Sequence, residues 1–219
     1  MITNKEYSNL QQAYDYFNNL LFANKLPHVL ITLQHGKKYY GYYWPEKFVE
    51  RTDDSSSVGE IALNPDLFEG RTDKEILSTL VHEQVHVWQQ TYGEPGRKGY
   101  HNKEWGSKMK EIGLYPSNTG KEGGKETGSK MSHYSINPGV FERYCNILLG
   151  EGFKLNWQSF IDKKADKKKK QTRVKYCCAG CGLNMWGKPD SNIICEDCSD
   201  IEEQVIVKLV PGDLEDKED

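Results

Sequence analysis

The stretch "STLVHEQVHVWQQTYGEPGRKGYH", residues 78–101, carries three of the six histidines of a 219-residue chain. Leu80, Val81, Val85 and Trp88 recur at helical steps within it, and Leu77 extends the stripe toward the N-terminus. Thr72 and Glu75 have capping-box spacing ahead of it, and Gly93 with Pro95 stops it, so the pattern predicts a helix over about Asp73–Tyr92. Four residues apart on such a helix, His82 and His86 project from one face and can hold one cation. Glu83 cannot conveniently fold back as a ligand, but it reaches a water beside that cation. Two imidazoles and a carboxylate in the order HExxH suit Zn²⁺ that activates water. A catalytic zinc needs a third protein ligand. His101 answers that need at the start of the next helix, and Glu104 is the competing candidate.

Outward from this helix the chain reads as α+β. "TNKEYSNLQQAYDYFNNLLFAN" predicts an N-terminal helix with Tyr7, Leu10, Tyr14, Phe17 and Leu21 on its apolar face and Thr3 and Glu6 as a capping box. "HVLITLQ", "KKYYGYYWPEKFV" and "VGEIALNP" predict short strands of a small sheet. After the HExxH helix, "NKEWGSKMKEIG" predicts a helix capped by Asn102, with Trp105, Met109 and Ile112 on one face. The glycine-rich segment from Gly113 to about residue 132 predicts a long, mobile surface loop, and a further helix is expected from Asn137-Pro138 to Gly150, with Cys145 in the core.

At this point the residues resemble a known family. "LVHEQVHVWQ" followed by "GYHNKEWGSKMKEIG" is similar to the SprT-like metalloprotease domain, in which HExxH is followed at a similar distance by a histidine that opens a helix. The resemblance covers roughly Tyr7–Trp157, and the cysteine-rich tail is similar to the zinc ribbon that often follows. It implies a zincin-like fold, His82, His86 and His101 as zinc ligands, and Glu83 as base and proton shuttle. Some members of the family act on proteins crosslinked to DNA. The segment between Gly113 and His133 departs from the best-known members.

Composition and charge set the surroundings. A hydrophobic fraction of 37%, 28% charged residues and only six cysteines describe a folded polar-surfaced protein rather than a disulfide-dense miniprotein. The N-terminus has no basic and apolar leader pattern, and no run approaches the ~18 apolar residues of a membrane span. The expectation is therefore a cytoplasmic monomer without membrane contact, in a compartment where clustered cysteines bind metal.

Such a cluster stands near the C-terminus. Cys178-Ala-Gly-Cys181 and Cys195-Glu-Asp-Cys198 are two CxxC knuckles 13 residues apart, expected to close a structural zinc site with no open position. Cys177 adjoins Cys178, and the spacing favours Cys178. Between Asp162 and Lys175 eight Lys or Arg face two Asp, a local +6 against a chain total of −3.

The expected organisation is a protease domain over 1–160, a basic linker over 161–175, a ribbon over 176–210 and an acidic tail over 211–219. Lys163–Lys170 and the ribbon are candidates for non-specific DNA contact, with Tyr176 and Trp186 as candidate stacking residues, and nucleoid association follows if they serve so. His133 and Tyr134 are candidate stabilisers of negative charge on a scissile carbonyl. The function expected is peptide-bond hydrolysis of a protein or peptide substrate. The rival is a non-catalytic zinc-binding adaptor for nucleic acid or a transcription complex.

Overall fold

The computed structural model describes residues 1–36, 38–52, 56–160, 173–200 and 210–211. The chain divides into two units, 1–161 and 162–219. Basic residues 163–170 and the acidic tail beyond 211 lie outside the described residues.

In the first unit α1 spans Ile2–Phe22. Its buried face is Leu10, Ala13, Tyr14, Phe17, Leu21 and Phe22. Tyr7, expected on that face, is 42% exposed. The expected capping box is absent too: the helix starts at Ile2 without a side-chain cap, and the Glu6 carboxylate instead accepts from the Asn156 backbone N–H at 3.2 Å. A local signal lost here to a partner 150 residues away, because a buried carboxylate needs donors wherever they lie.

Strands β1 (Leu30–Leu33), β2 (Gly41–Val49) and β3 (Ser57–Leu63) form one sheet in the order β1-β3-β2. Strand β3 is parallel to β1 and antiparallel to β2. Pro45 lies where β2 loses register: Trp44 pairs with Glu60 and Phe48 with Val58, so three residues of β2 oppose one of β3. Proline cannot donate to a ladder, and a bulge at a sheet edge accommodates it. Buried Glu60 is held from both sides by hydroxyls, Thr32 at 2.7 Å and Tyr42 at 2.9 Å.

Helix α2 spans Asp73–Tyr92 with the full capping box of Thr72 and Glu75. It packs against β2, β3, α1, α3 and α4, and this central position explains why Ser78, Thr79, His82, Glu83, Gln84 and Gln89 are buried along with its apolar residues. Gln84 uses that burial to donate to the Tyr14 carbonyl of α1 at 2.9 Å. Helix α3 spans Lys103–Glu111, with Asn102 accepting from the Trp105 N–H. Trp105, Met109 and Ile112 enter the same core as α1 and α2.

The segment expected to be a mobile loop contains a short hairpin whose long connection, 118–131, is laced by hydrogen bonds. Strands β4 (Leu114–Ser117) and β5 (Ser132–Ser135) pair antiparallel. Between them Asn118 exchanges bonds with Lys125 (2.9 Å from its N–H, 2.7 Å to its side chain), and Glu126 accepts from Lys110 and Tyr115. Side-chain to backbone bonds of this kind are invisible to composition, which registered only the glycines. Helix α4 spans Val140–Gly150, two residues later than expected, capped by Gly139 and burying Phe141, Cys145 and Leu148.

The second unit is a small sheet of β6 (Val174–Cys177), β7 (Asn184–Gly187) and β8 (Val210–Pro211) in the order β7-β6-β8. Tyr176, Cys178 and Cys195 form its core.

Candidate metal and catalytic centre

One helix and the turn that follows it bring the histidines together. Helix α2 supplies His82 and His86, and the turn after Gly93 returns His101 to them just ahead of α3. One ligand atom from each of the three lies within 4.8 Å of the others, a spacing one cation can bridge. His86 Nε2 and His101 Nε2 approach to 3.1 Å. Trp105 forms the floor: its ring centroid lies 4.9, 5.5 and 4.4 Å from those of His82, His86 and His101.

On His82 and His101 the nitrogen Nδ1 is also engaged. His101 Nδ1 lies 3.1 Å from the Gly128 carbonyl, an acceptor, so Nδ1 carries the proton and Nε2 keeps its lone pair. A pair of backbone bonds between His101 and Gly128 reinforces this contact. Burial holds His82 well below the usual histidine range and His86 at about 3, and it lowers His101, opposed there by the Gly128 carbonyl. Imidazoles held neutral and meeting around a common point fit a borderline-soft divalent cation such as zinc.

Glu83, one residue after His82, is fully buried, and burial lifts its carboxyl to about 8, opposed by the Tyr43 N–H. Its Oε1 lies beside Gly41 at the start of β2. A Cβ on Gly41 would stand 2.9 Å from both the Ala62 carbonyl and Thr79 Cγ2 and 3.3 Å from Oε1, so the bare glycine lets strand and carboxyl approach. Glu104 is not in the group whose ligand atoms converge. Its Oε2 is occupied by Gln89 Nε2 at 2.7 Å and the Glu94 N–H at 2.8 Å.

His133 and Tyr134 part company because successive residues of a strand face opposite ways. Tyr134 stacks on Tyr115, centroids 5.2 Å apart. His133 turns inward, with Nδ1 3.0 Å from His82 Nδ1 and Nε2 2.9 Å from Ser78 Oγ. Both its nitrogens are taken, which leaves no free donor for a substrate oxygen. Sequence reasoning missed Ser78, Gly128, Gly41 and the floor role of Trp105. The first three carry no motif, whereas Trp105, four residues beyond His101, was legible as a helical contact.

Comparison with known proteins meets this geometry directly. The SprT-like family model matches residues 10–122, just over half of the chain. The chain belongs to the SprT-like family. It is also 49% identical over 59 residues to an uncharacterized protein in the mucB 3′ region of Salmonella typhimurium, a span of 27% of this chain and 78% of that protein. The SprT-like match contains His82, Glu83, His86 and His101 but stops short of Gly128 and His133.

In the second unit the sulfurs of Cys178, Cys181, Cys195 and Cys198 lie within 4.8 Å of one another. Cys177 is excluded from the set by its place in β6, where its thiol points to the Cys178 carbonyl. The Cys178 thiol is drawn down to about 7, chiefly by the Cys181 backbone N–H, while its bond with Cys181 pushes Cys198 up to about 12. Thiols this close share protons, and four thiolates require a cation. Tyr176 is buried, its hydroxyl donating to the Lys188 carbonyl at 2.9 Å, so it packs the ribbon. Trp186 is 62% exposed. No helix among the described residues is long and apolar enough to cross a membrane.

Proposed function

We propose that this SprT-like protein is a zinc metalloendopeptidase, with His82, His86 and His101 holding the metal and Glu83 acting as general base. The observation that carries the proposal is the convergence of three buried imidazoles, with the buried Glu83 carboxyl one residue along α2 from His82. A zinc ion bound there would supply Lewis acidity and an acidified water. Positive charge at the histidines favours the ionised form of Glu83, counteracting the burial that raises it. Glu83 then accepts a water proton on a carboxylate oxygen and delivers it to the leaving amine. Trp105 and the α2 core keep bulk water from the back of the ligands. A site that only held the fold together would have no use for a buried carboxyl at this position, which weighs against the adaptor reading.

The four cysteines would hold a second, structural zinc with no open position. The substrate class proposed is protein associated with or crosslinked to DNA. Support comes from the SprT-like membership, the run Lys163–Lys170 and the exposed Trp186 of the ribbon. The protein is proposed to act as a monomer in the cytoplasm, at the nucleoid when bound to DNA.

Incubating the zinc-loaded chain with a DNA-binding protein, with and without DNA, tests this reading. Cleavage should rise with DNA, cease with a zinc chelator and return on zinc addition. Replacing the six lysines of 163–170 by Gln should lower DNA-dependent cleavage, with a weaker salt dependence of binding. Failure of wild type to cut any protein under all these conditions would favour the adaptor reading.

A further inference from the structure

His82 cannot ligate a metal unless its lone pair sits on the nitrogen that faces His86 and His101. Its Nδ1 faces His133 Nδ1 instead, at 3.0 Å. Two imidazole nitrogens at that distance make one hydrogen bond, and the proton must sit on one of them. If His133 donates, His82 carries its proton on Nε2 and has no lone pair for the metal. If His82 donates, Nε2 is free to bind. The choice is therefore made outside His82.

The rest of the chain of bonds makes it. Ser78 Oγ lies 2.8 Å from the Glu75 carbonyl, a group that can only accept, so the hydroxyl proton points there. Ser78 Oγ is then an acceptor toward His133 Nε2, 2.9 Å away, and that nitrogen carries the proton. A neutral imidazole protonated on Nε2 accepts on Nδ1. His82 Nδ1–H must donate to it. Each polarity follows from the one before, starting from a helix carbonyl that cannot donate.

We infer that His133, oriented by Ser78, is a positioning residue that fixes the metal-binding tautomer of His82. The Gly128 carbonyl does the same for His101. Two of the three ligands are thus set by the segment between β4 and the end of β5, whose glycines suggested only a loop. Partners of this kind behind metal-bound histidines govern affinity. The inference rests on the reading of His82 as a ligand.

The test uses the full chain and reads zinc affinity by competition with a chromophoric chelator, the histidine-bound zinc being the ion lost in His101→Ala. His133→Phe keeps a ring but removes the acceptor, and should weaken that zinc by about 10–100-fold while sparing the cysteine-bound ion. His133→Asn, which retains an acceptor oxygen near the Nδ1 position, should recover most of the loss. Ser78→Ala should weaken zinc in the wild-type background and change nothing further in His133→Phe. In metal-free protein, ¹⁵N spectra of the imidazoles should show His82 protonated on Nδ1 in wild type and shifted toward Nε2 in His133→Phe.

Equal zinc affinity of His133→Phe and wild type would overturn the inference. So would a Ser78→Ala effect that persists without His133, or an unchanged His82 tautomer. If wild type bound no zinc at the histidines the functional reading would fail, and the tautomer in metal-free protein would still decide this one.

Discussion

At the scale of single residues, the third ligand separates the two sequence-level candidates. His101 has a lone pair turned toward His86, whereas Glu104 is spent on Gln89 and the Glu94 N–H. His101→Ala should therefore lose one zinc by elemental analysis, while Glu104→Ala should retain both and loosen the turn. The same burial that keeps the histidines neutral makes the metal-free protein sensitive to pH. Below about 6.5 the unfolded chain binds protons that buried His82, His86 and His133 refuse, so stability rises with pH up to there. Glu83 works in the opposite sense: between about 4.5 and about 8 the folded state holds a proton the unfolded state has lost, so stability falls as pH rises through that window. Thermal unfolding in chelator should peak near pH 6.5, and Glu83→Gln should abolish the decline above it. The convergence of His82, His86 and His101 was legible because one helical spacing and one turn place them. Ser78, Gly128 and the inward turn of His133 were not, because each depends on contacts between segments 27 to 55 residues apart.

At the scale of elements, α2 was read to its ends, since cap, apolar stripe and stop all agree locally. Helix α1 was read correctly in kind, but its cap was not, because Glu6 answers to Asn156. In the 113–135 segment the expectation of a loop missed β4 and β5, while 118–131 between them do form a long connection, ordered in part by side chains bonding backbone, which periodicity does not report. Its first turn has a specific requirement. Gly113 has φ 90°, and a Cβ there would come within 2.7 Å of the Phe141 N–H nitrogen at the start of α4. Gly113→Ala should cost about 1–3 kcal/mol for the backbone conformation alone, read by denaturant unfolding, with further loss from the clash. Removing the α2 cap with Thr72→Ala should cost about 1 kcal/mol. A Thr72→Ala loss equal to or above that of Gly113→Ala would contradict this ordering.

At the scale of the whole molecule, the two candidate metal sites lie in separate units of the chain, so each should load without the other. Cutting near residue 165 should leave the histidine site intact and remove only the cysteine-bound zinc. The central claim is that the histidine site is catalytic through Glu83. The measurement that tests it most directly takes zinc content and cleavage rate from the same samples of wild type and Glu83→Gln. The account predicts two zinc ions per chain in both, with cleavage by the Gln variant reduced by about 10²–10⁴-fold. Cleavage by Glu83→Gln at the wild-type rate, with both zinc ions in place, would contradict it.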